Sequence, residues 1–221
     1  LAALRGHGPA QALLMRVPRL LKPAVFVLCL APLGLMVFDG FTGGLGVNPV
    51  ETITHRTGDW TLRLLLLTLA MTPLRRLLGW GWPLRVRRML GLFSFFYACL
   101  HLLTYVWLDQ FFDLWAIVDD VIERPFITVG MLAFIGLIPL AITSTNGMMR
   151  RLGRRWKVLH RLVYPVAVLG VVHFWWLVKA DVREPLLYAL ILGVLLGYRV
   201  VGSMRRWRRA RSSGLETGAG A

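Results

Sequence analysis

The chain has 221 residues, of which 57% are hydrophobic, with a positive mean hydropathy and a formal net charge of +15. A soluble domain of this size has too much surface for its volume to hide so many apolar side chains. The charge does not point to nucleic acid either, because the basic residues cluster at alternate ends of apolar runs and leave no soluble groove.

Six apolar runs can be drawn, each of roughly 17 to 22 residues, enough to cross a hydrocarbon core of about 30 Å. They predict spans near 24–39, 60–78, 89–107, 126–143, 156–177 and 185–203. A basic N-terminal arm, 1–23, precedes the first, and the turn-like HRTGD at 55–59 precedes the second. The fourth opens after Arg124-Pro125 and the sixth after Glu184-Pro185, where proline suits a first helical turn. Pro165 predicts a kink in the fifth. Between the third and fourth lies LDQFFDLWAIVDDVIERP, 108–125, whose apolar pairs alternate with acids. It predicts a short helix on the outer surface, with Asp109, Asp113, Asp119, Asp120 and Glu123 forming a solvated face or a docking face for a partner. Residues 206–221 read as a basic, disordered tail. The expected fold is an all-α membrane protein, a six-transmembrane-helix bundle whose single domain covers 24–205.

Charge sets the expected orientation. One set of ends carries 21 of the 26 basic residues, in the arm, at 75–88, at 150–161 and from 199 onward. The other carries Arg56, Arg63, Arg124, Lys179 and Arg183, together with ten of the eleven acids. The positive-inside rule then places both termini in the cytoplasm and loops 40–59 and 108–125 outside, with the basic loops against anionic lipid. Cys29 and Cys99 lie within apolar runs and read as small hydrophobes, not as a disulfide or a thiolate metal site. The GGLG at 43–46 lacks the spacing of a phosphate loop.

The chemistry lies in the histidines. His7 belongs to the arm and His55 to an outer loop, but His101, His160 and His173 fall inside spans three and five. Intramembrane ionisable groups are costly and face the protein interior. One of them is ordinarily a hydrogen-bonded core residue; three on two spans point to imidazole ligation of haem iron from both sides. With no carboxylates or thiolates at those depths, zinc is poorly supported. His101 lies eight residues before Asp109, and His173 eight before Asp181, so both sit about 12 Å below the outer acids. His160 lies thirteen residues earlier than His173, about 20 Å nearer the cytoplasm and on a different face of an ideal helix. Depth pairs His101 with His173, while a His101–His160 pair stays open. Tyr105 and Tyr164 each follow a histidine by four residues and read as core aromatics or hydrogen-bond partners.

The segments GGLGVNPVETITHRTG (43–58), TPLRR (72–76), RRMLGLFSFFYACLHLLTY (87–105) and TSTNGMMRRLGRRWKVLHRLVY (143–164) resemble the MsrQ family, formerly YedZ. That family belongs with the ferric reductase-like transmembrane domains, and the likeness covers about residues 25–205. It implies a haem b and FMN membrane subunit of the bacterial inner membrane. Electrons would pass from the quinol pool or a cytoplasmic flavin reductase to the periplasmic molybdoenzyme MsrP, which reduces methionine sulfoxide in envelope proteins. His101, His160 and His173 fall on the family's histidine positions. The wider superfamily often carries a further histidine on span three, where this chain has Arg87 and Arg88. Arginine does not ligate iron but suits a propionate, a phosphate or a quinone oxygen. Ser144, Thr145, Arg150 and Arg151 offer donors for an FMN phosphate, or else a helix cap and a lipid contact. Two other classes compete. A stand-alone transmembrane reductase of ferric iron or oxygen needs flavin and nicotinamide domains that these residues do not hold. A non-redox transporter or scaffold would show no haem spectrum.

Overall fold

The computed structural model describes residues 18–79, 81–178 and 181–218. Arg5, His7 and Arg16 of the arm, Trp80 and Lys179 lie outside the described residues. Every described element is a helix: α1 Pro18–Thr42, α2 Pro49–Leu78, α3 Pro83–Leu103, α4 Leu114–Glu123 and α5 Pro125–Ile142. They continue as α6 Asn146–Leu152, α7 Arg154–Leu159, α8 Val163–Leu177 and α9 Arg183–Gly218. A π-helical segment, Thr104–Asp109, extends α3, and a 3-10 turn, His160–Leu162, joins α7 to α8.

Two compact units divide the chain, residues 1–113 and 114–221. In the first, α2 packs against α3, and Cys29, Met36, Leu64, Met71, Val86, Leu90, Phe93 and Tyr97 form the core. The helix α2 begins on a capped turn. The Asn48 side chain accepts from Glu51 N–H at 3.3 Å, and Pro49 needs no donor there. It ends on Gly79, whose φ of 70° is open only to a residue without Cβ strain and whose N–H closes on the Arg75 carbonyl at 2.9 Å. In the second unit, α5 packs against α8, with Ala133, Leu137, Val166, Ala167 and Val171 buried. The Thr128 hydroxyl donates to the Val121 carbonyl and ties α5 to α4.

Among the described residues, five stretches are long and apolar enough to cross a membrane: Leu20–Thr42, Pro83–Asp109, Pro125–Ile142, Arg154–Leu177 and Arg183–Arg205. The helix α2 covers the second expected span but is not among them, because Arg63, Arg75 and Arg76 lie within that stretch. It compensates by burial: Leu62, Leu64, Leu65, Leu66 and Leu69 are all enclosed. A ten-residue helix, α4, does form in loop 108–125. Leu114, Trp115, Val118 and Ile122 make an exposed apolar stripe on it. The break in the fifth span lies in the 3-10 turn just before Pro165. The helix α9 runs on to Gly218, through an arginine-rich stretch that follows its apolar half.

Candidate functional site

Two of the histidines are held by the same local arrangement, one in each unit. His101 Nδ1 lies 2.9 Å from the Thr54 carbonyl of α2, and His173 Nδ1 lies 2.6 Å from the Phe126 carbonyl of α5. In both, the carbonyl belongs to the residue 47 positions earlier. In both, a glycine follows that residue by four positions, Gly58 and Gly130. A Cβ on Gly130 would lie 2.7 Å from His173 Nδ1 and 2.8 Å from Cε1; one on Gly58 would lie 3.2 Å from the same atoms of His101. The rings thus lie across the backbone of a neighbouring helix, where a Cβ would collide at Gly130 and be tight at Gly58. A carbonyl can only accept, so Nδ1 carries the proton and the neutral ring keeps its lone pair on Nε2. That is the tautomer by which histidine ligates metals, with the second nitrogen anchored. The residues therefore fit an axially ligated haem.

His160 is held differently. Its Nδ1 lies 3.2 Å from the carbonyl of Trp156 on its own chain segment, and its Nε2 lies 3.5 Å from Ser144 Oγ. The ring stacks on the Trp156 indole, with centroids 3.9 Å apart and planes 26° from parallel. Trp156 is itself fixed by its Nε1–H, which donates to the Thr143 carbonyl at 2.9 Å. The C-terminal end of α5 and the start of α8 thus meet around His160.

The other expected residues divide. Ser144 joins His160, and its hydroxyl also donates to the Leu140 carbonyl at 2.6 Å. Thr145 caps the N-terminus of α6 by accepting from Met148 N–H at 3.2 Å. Arg150 and Arg151 are exposed on the last turn of α6. In the first unit, Arg87 donates to the Thr72 hydroxyl at 3.3 Å, while Arg88 is exposed. The Tyr164 hydroxyl accepts from Arg199 at 3.2 Å, so it serves α9 and not a histidine. Tyr105 lies in the π segment, its carbonyl accepting from Gln110 N–H at 3.0 Å.

Sequence reasoning missed Thr54, Phe126, Gly58, Gly130 and Trp156. The carbonyls carry no side-chain signature. The glycines had one: the pairs 58/130 and 101/173 share one offset, and 72/144 follows it too, each a hydroxyl residue.

The family model for the ferric reductase like transmembrane component matches residues 57–171. A protein of Rhodospirillum rubrum is 58% identical over 198 residues, 88% of this chain and 94% of its own length. Proteins of Herminiimonas arsenicoxydans and Azospira oryzae are 55% and 54% identical, over 82% and 84% of this chain and 84% and 80% of their own lengths. All three bear the name protein-methionine-sulfoxide reductase haem-binding subunit MsrQ. No solved structure matches the chain. The matched transmembrane component and the five apolar helices make it a multi-pass membrane protein. At this identity and coverage, the chain belongs to the MsrQ family within the ferric reductase-like transmembrane proteins.

Proposed function

We propose that this protein is the haem b-binding, electron-carrying membrane subunit of a protein-methionine-sulfoxide reductase system. His101 and His173 would hold the haem iron through Nε2. One observation carries this: two histidines on apolar helices, each with Nδ1 held by a helix carbonyl and beside a glycine. Their equal distance in sequence from Asp109 and Asp181 supports the pairing. Haem b, when bound, supplies one-electron chemistry, and two imidazole ligands favour electron transfer over oxygen chemistry. Thr54 and Phe126 hold each ring's tautomer and orientation.

His160, with Ser144 and Trp156, marks a second position about 20 Å nearer the cytoplasm. Electrons from the quinol pool or a cytoplasmic flavin reductase enter at that end. FMN, if held there, would draw on Ser144, Arg150 and Arg151, since Thr145 is committed to its cap. The bundle crosses the inner membrane six times, with α2 as the enclosed sixth span, both termini in the cytoplasm and α4 on the outer surface. The electron acceptor is a periplasmic MsrP-type molybdoenzyme. Each sulfoxide takes two electrons and two protons to become thioether and water, so a one-electron carrier passes its charge twice per repair.

The test is a visible spectrum of the purified chain, produced with ample haem and recorded oxidised and dithionite-reduced. A Soret band that shifts on reduction, with a sharp haem b α-band, is expected. A colourless protein contradicts the proposal.

A further inference from the structure

We infer that Gly58 and Gly130, with the carbonyls of Thr54 and Phe126, are twin positioning devices that set the redox poise of the histidine-bound haem. The inference rests on the function proposed above and deepens it. Among the described glycines, only these two have histidine atoms as the neighbours a Cβ would meet. Gly136 lies on α5 two turns beyond Gly130, yet a Cβ there meets Val166 Cγ2 at 2.5 Å and no histidine. Plain helix packing therefore already has its own glycine on the same helix, and Gly130 answers to something else.

The geometry gives the purpose. In a regular helix the N–H of residue i+4 points at carbonyl i. The glycine N–H and the histidine Nδ1–H therefore converge on one oxygen, and a side chain on the glycine would stand between them. Removing Cβ lets the ring reach a carbonyl that the helix already uses. The hydrogen bond pushes electron density toward Nε2, which favours the ferric over the ferrous state of a ligated iron. The two devices are unequal. The Thr54 carbonyl also takes the Thr57 hydroxyl at 2.9 Å, and the His101 contact is longer, 2.9 Å against 2.6 Å for His173. His173 is therefore the more strongly polarised ligand.

The experiment compares the haem-loaded wild type with Gly130→Ala, Gly58→Ala and Gly136→Ala by redox potentiometry and by EPR of the ferric state. An added methyl on Gly130 forces the imidazole off the Phe126 carbonyl, so its midpoint potential shifts upward and the low-spin g values change. Gly58→Ala shifts in the same direction by less, since its Cβ meets the ring at 3.2 Å. Gly136→Ala loses thermal stability but keeps the wild-type potential and g values. Haem lost from Gly130→Ala but retained in Gly136→Ala also supports the assignment. Unchanged potential and EPR in both Gly58→Ala and Gly130→Ala, with haem retained, overturns it while leaving haem binding intact. A shift in Gly136→Ala as large as in Gly130→Ala overturns it too. Absence of haem from the wild type overturns the functional proposal and this inference together.

Discussion

The hydroxyl of Tyr97 on α3 donates to the backbone carbonyl of Cys29 on α1, 2.8 Å away, from a side chain with no exposed surface. The same oxygen accepts from Leu33 N–H at 3.1 Å. Those two backbone groups are four residues apart, the pair an uninterrupted helix joins directly. Pro32 lies beside them, and the Tyr97 hydroxyl bridges the two groups from the neighbouring helix.

Tyr97→Phe keeps the ring and deletes the bridge. Two buried backbone groups lose their partner, which costs about 1–3 kcal/mol. The expected outcome is a lower thermal midpoint in detergent with normal haem content. An unchanged midpoint means that α1 closes its own bond once the hydroxyl is gone.

The close approach of α5 and α8 makes a second prediction. Gly136→Ala sets a methyl 2.5 Å from Val166 Cγ2, on a side chain 2% exposed. Overpacking of this kind costs about 1–3 kcal/mol. Val166→Ala placed in the same chain should recover most of the loss, giving a favourable coupling in a double-mutant cycle. Strictly additive losses would show that the two residues do not share the contact.

Orientation can be tested by labelling. On the acidic ends, Arg56, Arg63, Arg124 and Arg183 each pair with a carboxylate, respectively Asp39, Asp59, Asp120 and Asp181. These ends carry few Lys and Arg, and the opposite ends carry most of them, which is what the positive-inside rule counts. A membrane-impermeant maleimide should label Asp113→Cys in intact spheroplasts. It should reach Gly147→Cys only after permeabilisation. The reverse pattern would invert the topology.

The helices were legible because apolar runs and prolines at first turns are local signals. Pro125 and Pro185 mark helix starts in the sequence as they do in space. The three histidines were legible because ionisable groups in apolar runs stand out. Their supports were not. A helix carbonyl such as that of Phe126 looks the same at every residue, and Gly130 gains meaning only when His173 lies over it. The meeting of Ser144 with His160 was not foreseen, and like the Trp156 stack it depends on a 3-10 turn that no single residue announces.

The proposed pairing of His101 with His173 is tested by haem per chain and ferric EPR in His101→Ala, His173→Ala and His160→Ala, all purified with equal haem supply. The prediction is that either outer variant loses the bis-imidazole signal, while His160→Ala keeps it and is reduced more slowly by quinol. Loss of that signal in His160→Ala with its retention in His173→Ala would contradict the pairing.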